Sequence, residues 1–160
     1  MKKTAIRLIT VFLLTVTCLT VTVHAKNIDA KAIGTVVENA IPLEFGYIDS
    51  TEYYMGNYFS SLKGVDDSYI ATAAESTNFN EFGIFHLKDK ADLRAAKEIL
   101  RAYLDRRKQE FESGVIYNVD EYPKFQSATV ITFGSYICYT ILKPSDLKNA
   151  SSAVKALPMK

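Results

Sequence analysis

Residues 81–113 read EFGIFHLKDKADLRAAKEILRAYLDRRKQEFES, and the fold class turns on this stretch. Phe82 to Leu87 are aromatic or aliphatic apart from Gly83 and His86, which suits a strand. Asp89 offers a side-chain oxygen to the first free amides of a helix, and Asp92 adds negative charge where the helix dipole favours it. Leu93, Ala96, Leu100, Leu104 and Phe111 then recur at three-, four- and seven-residue steps, which stacks them on one face. Gly114 closes the helix, because glycine enters the left-handed cap conformation without a Cβ clash. The unit is a strand followed by a capped, long amphipathic helix. It is architecture, and by itself names no chemistry.

Outward toward the N-terminus, Lys2, Lys3 and Arg7 precede Leu8 to Val23, a run of apolar residues and threonines. Val23 and Ala25 occupy the −3 and −1 places of a peptidase site, so the pattern is that of a secretory signal peptide cleaved between Ala25 and Lys26. A retained membrane anchor fits less well, since sixteen residues with five threonines fall short of the ~20 apolar residues a span needs. A third reading makes Cys18 the lipid-bearing residue of a lipoprotein. Thr15 and Thr17 then stand where such sites carry leucine and a small residue, and Leu19 to Val23 trail the anchor.

Without residues 1–25 the chain has 135 residues, enough for one domain with a proper core. Three of the 19 basic residues and none of the 18 acidic ones leave with the leader, so 16 face 18 and the formal charge is −2. That balance argues against a nucleic-acid partner or an anionic-membrane surface; the membrane enters only through the leader or the Cys18 lipid anchor. Cys138 remains as a lone cysteine, so no internal disulfide forms within residues 26–160, and His86 is the one histidine left, too few for a zinc pattern. No cofactor motif is present.

The rest of the chain supplies the partners of the central unit. Asp29 caps a helix with Ala32, Ile33, Val36, Val37, Ala40 and Ile41 as its apolar positions, stopped by Pro42. Residues 43–64 carry six aromatics in fifteen positions between Phe45 and Phe59; the segment reads as irregular with a short helix around Thr51 to Leu62. Tyr53, Tyr54 and Tyr58 are candidate binding residues there, since tyrosine joins an apolar ring to a polar tip; the competing reading wraps them around the core edge. Val65-Asp66-Asp67 reads as a turn, Ser68 to Ala74 as a strand, and 68–74 with 82–87 as an antiparallel hairpin. Val115 to Val119 connects to a short helix that starts at Asp120 to Pro123 and ends near Gln126.

Ala128 to Phe133 and Tyr136 to Leu142 flank Gly134-Ser135, a glycine-first turn of type II′. That turn pairs Phe133 with Tyr136, Ile131 with Cys138 and Thr129 with Thr140. Neither face of the hairpin is polar, so both are expected to be covered at least in part. Pro144 stops the strand, and a helix from Ser145 or Asp146 carries Leu147, Ala150, Val154 and Leu157 inward. The class is α+β: a small antiparallel sheet of about four strands in two hairpins, a long amphipathic helix, and shorter N- and C-terminal helices.

This order of parts, with EFGIF at 81–85, RRKQEF at 106–111, YNVDEYPKF at 117–125 and ATVITFGSYICYTI at 128–141, resembles a bacterial family of exported domains of unknown function, DUF4358. The resemblance spans most of residues 28–157 and implies an extracytoplasmic protein of the kind found largely in Gram-positive bacteria, often as lipoproteins. The family has no established catalytic residues, so the resemblance assigns none here.

Arg106, Arg107 and Lys108 are flanked by Asp105, Glu110 and Glu112, which reads as a solvated helix face; Arg106 and Arg107 are also candidate binding residues. Cys138 and His86 can be written as nucleophile and base, but a thiol between Ile137 and Tyr139 in mid-strand behaves as a small inert apolar group. Asp66-Asp67, Asp89 with Asp92, and Asp120-Glu121 all stand at turns or helix starts, where capping explains them. The expectation is a non-catalytic binding or envelope-associated module, secreted or extracytoplasmic, with a cell-envelope protein or small ligand as partner. The alternative is an extracytoplasmic hydrolase using a carboxylate pair.

Overall fold

The computed structural model describes residues 28–114 and 118–158. The leader, its cleavage point at Ala25 and Lys26, and Cys18 lie outside the described residues, as does most of the connector after Gly114. Helix α1 (Ala30–Ala40) begins where Asp29 accepts hydrogen bonds from the amides of Lys31 and Ala32. Its buried positions are Ala30, Ile33, Gly34 and Val37, the helical i, i+3, i+4, i+7 stripe. Ala32, assigned to this face by the sequence, is exposed. The stripe is rotated because Gly34 receives the ring of Tyr69: a Cβ on residue 34 would stand 2.1 Å from Tyr69 Cδ1.

Strand β1 (Tyr47–Asp49) follows, then α2 (Thr51–Asn57), β2 (Val65–Ala73), β3 (Glu81–Leu87) and α3 (Leu93–Glu112). Residues 43–50, read as irregular, therefore contain a fifth strand, too short to show a period. Helix α2 stops at Asn57, earlier than Leu62, and Phe59 just beyond it is fully buried. The expected turn at Val65-Asp66-Asp67 is instead the start of β2, with a bulge between Val65 and Asp67. The turn lies one residue earlier, at Gly64 with φ +74°. Asp89 accepts from the amide of Ala91 in a single 3-10 turn that leads into α3.

After α3 come α4 (Tyr122–Gln126), β4 (Thr129–Phe133), β5 (Tyr136–Ile141) and α5 (Pro144–Lys155). Pro144 sits in the first turn of α5, where its missing amide is not needed, so the helix starts at the proline rather than after it. The register of the last hairpin pairs Phe133 with Tyr136, Ile131 with Cys138 and Thr129 with Thr140, as its turn dictates.

The five strands run in the order β1-β2-β3-β5-β4, and every neighbouring pair is antiparallel. Period-two alternation sends the two sides of the central strands into different cores. Phe85, Leu87, Ile137, Tyr139 and Ile141 pack with α3, together with Phe59 and Phe125. Phe82, Ile84, Tyr136 and Cys138 pack with α1 and α5. All residues of β3 and β5 are buried, whereas β4 at the sheet edge is half-exposed. Among the described residues no helix is long and apolar enough to cross a membrane.

Candidate functional site

Glu81 opens β3 and is 2 % exposed. It shares a sheet face with Gly83, Phe85 and Leu87, so its carboxylate projects into the α3 layer, where a lone charge would be costly. Four side chains from three other elements answer it. Tyr139 of β5 donates to Oε1 at 2.8 Å, and Tyr103 of α3 donates to the same oxygen. Tyr54 of α2 donates to Oε2 at 3.2 Å, and Arg107 of α3 reaches it at 3.4 Å. Burial, and then the neighbouring carboxylate charge, push the phenols of Tyr54, Tyr103 and Tyr139 well above their ordinary value. They therefore remain protonated donors at neutral pH. Burial alone would lower the Arg107 guanidinium, but Glu81 and the phenols beside it hold it above its usual value.

Around this cluster lie the remaining aromatic residues of α2 and its exit. The Tyr53 ring is 5.7 Å from Tyr54 and 6.0 Å from Tyr58, and Tyr58 is 5.6 Å from Tyr103. Arg106 lies over Tyr58 at 4.7 Å and over Tyr103 at 5.7 Å, within cation–π range. Tyr53 remains 60 % exposed. The structure thus places Tyr53, Tyr54, Tyr58, Arg106 and Arg107 in one neighbourhood between α2 and α3, in two tiers. Tyr54 and Arg107 belong to the inner tier; Tyr53, Tyr58 and Arg106 form the outer one.

Arg107 departs from the solvated-face reading: its side chain is only 19 % exposed. Counting from Leu100, residue 107 lies seven positions on and Phe111 eleven, the same stripe. Glu81, Tyr103 and Tyr139 were not singled out by sequence. The available sign was an acid on the apolar alternation of β3, facing a helix with tyrosine and arginine four residues apart.

Each Glu81 oxygen accepts from two donors, so the hydrogen-bonding capacity of the carboxyl group is taken up within the cluster. Its effect is mechanical: it ties α2, α3, β3 and β5 together beneath an aromatic and cationic surface.

The other candidates are engaged elsewhere. Cys138 is 6 % exposed, burial pushes its thiol up to about 12, and its Sγ–H points to the Tyr139 carbonyl at 3.4 Å. His86 instead bonds Asp66 at 2.5 Å through Nδ1, which holds that carboxyl below the usual range. Asp67 accepts from the Ala30 amide at 2.6 Å and Asp89 caps the turn before α3. Glu121 pairs with Lys124 at 2.5 Å and accepts from the Phe79 amide at 2.7 Å. Lys124 also donates to Asn78 Oδ1 at 2.6 Å, so a buried ion pair fastens the β2–β3 loop to α4. Burial lowers the Lys124 ammonium despite the partner.

A family model described as "Domain of unknown function (DUF4358)" matches residues 52–142. Every residue of both tiers falls inside that span, while α1 and α5 lie outside it. Neither curated proteins nor solved structures provide a match.

Proposed function

The chain belongs to the DUF4358 family of domains of unknown function, and on that premise we propose that it is an exported, non-catalytic binding module that docks a cell-envelope protein. The observation that carries this reading is the outer tier. Tyrosine and arginine are the residues that most often anchor protein interfaces, and here Tyr53, Tyr58 and Arg106 stand together on a base fixed by Glu81. Rings held by edge contacts lose little side-chain entropy on binding, which favours affinity. The charged leader and its apolar run support export.

A photo-crosslinking residue at position 53, compared with one at the fully solvated Arg94, tests the assignment in the native envelope. The expected result is a discrete protein adduct from position 53 alone, lost when Arg106→Ala is added. Matching adduct patterns from both positions, or an adduct indifferent to Arg106→Ala, would reject the surface.

A further inference from the structure

On the opposite face of the sheet, a cavity of about 190 Å³ opens between the β4 edge and α5. We propose that it binds a small aliphatic carboxylate. The floor is formed by Phe82, Cys138 and Thr140 from the sheet, and Ile131, Leu147 and Val154 wall it. Cavities of roughly 150 Å³ lined in this way take a six-carbon ring, so this one fits a ligand of about six to ten heavy atoms.

Two observations specify the polar part of the ligand. Thr140 is 5 % exposed, and its hydroxyl is a buried polar group with no hydrogen-bond partner among the described residues. A buried hydroxyl left unpaired is costly, and because Thr140 lines the cavity, a turn about its χ1 would offer that hydroxyl to an oxygen on the occupant. The second observation is charge. Lys155, in the last turn of α5, is the one charged residue of the lining, and the other polar groups there are hydroxyls and a thiol. The lining offers donors and a cation and no carboxylate. An apolar chain ending in an anion meets all of these conditions: the chain replaces water against Ile131 and Val154, the oxygens accept from Thr140, and the charge faces Lys155. Half of this lining comes from α1 and α5, outside the span matched by the family.

Octanoate is the probe, with 1-octanol as the same chain without charge. The purified protein, labelled at Ile, Leu and Val methyls, is titrated with each. Octanoate is expected to give saturable shifts at Ile131, Leu147 and Val154 and to slow thiol labelling of Cys138. Lys155→Gln should weaken octanoate by about three- to fivefold and leave octanol unchanged, the effect of removing one partly exposed charge. Thr140→Val, nearly the same shape, should weaken both by about threefold or more. The proposal is overturned if the shifts fail to saturate, if the exposed Ile48 moves as much as Ile131, or if folded Lys155→Gln protein binds octanoate as before.

Discussion

Gly83 and Tyr139 are direct cross-strand partners, and the tyrosine ring occupies the space a side chain on residue 83 would need: a Cβ there would stand 2.3 Å from Tyr139 Cε1. The ring passes close over the glycine, and its hydroxyl reaches Glu81 two residues back along β3. Gly83→Ala must push the ring aside and break that bond. The expected cost is about 1–3 kcal/mol, the range for overpacking a core, read as a lower urea midpoint. An unchanged midpoint would show that the ring position is not what requires glycine.

Glu81 itself should be far more sensitive to removal than to neutralisation. Glu81→Ala strands the Arg107 guanidinium and three phenols, and breaking a buried pair from one side costs roughly 3–5 kcal/mol. Arg107 keeps some solvent contact, which favours the lower end. Glu81→Gln keeps the size and one acceptor oxygen and should lose less than half as much. Equal melting of the two variants would contradict a role as common acceptor.

Alkaline pH should unfold the protein cooperatively. Folded-state phenols of Tyr54, Tyr69, Tyr103 and Tyr139 are raised above the ordinary value of 10.0, with burial the largest cause in each. The folded state then holds protons that the unfolded chain releases. Their stabilisation is whole below pH 10 and declines as pH rises beyond it. The share of tyrosinate absorbance owed to these four phenols should appear in the same step as the loss of circular dichroism. Gradual ionisation of all ten tyrosines in a still-folded protein would refute this.

Leu100→Ala and Arg106→Ala separate core from surface on one helix. Leu100 is fully buried, and its truncation should cost roughly 2–5 kcal/mol. Arg106 contributes an exposed cation–π contact worth about 0.5–1 kcal/mol, so its alanine variant should stay folded while losing the envelope adduct. Similar urea midpoints for the two would invert the assigned faces.

The parts of the fold legible in sequence were those with a local physical cause. Gly134 sets a two-residue turn, and the turn alone fixes which residue of β4 faces which of β5. Asp29, Asp89 and Gly114 mark helix ends through their own backbone and side-chain chemistry. Strand β1 was illegible because three residues cannot display alternation. Asp66 and Asp67 read as a turn because acids favour turns, yet each has a distant partner, His86 and the Ala30 amide, that sequence order cannot show. Glu81, Tyr103 and Tyr139 of the inner tier were missed for the same reason. Its donors stand 22 to 58 positions from Glu81, and a charge at 107 looks solvated until the carboxylate it answers is placed beneath it.

The strand order also has a kinetic consequence. Pairs β2–β3 and β4–β5 each close over a short connection and β1–β2 over residues 50–64, but β3 meets β5 only after the long helix has been laid down between them; Glu81 faces Ile141 across 60 positions. Closing a long loop must precede the contacts that reward it, and such pairings slow folding. The seam between the two hairpins is therefore the expected barrier, and the Glu81 cluster assembles only as it shuts. In stopped-flow chevrons, Gly83→Ala should slow refolding, while Val37→Ala on α1 should chiefly accelerate unfolding. A Gly83→Ala refolding limb that overlays the parent would place the barrier elsewhere.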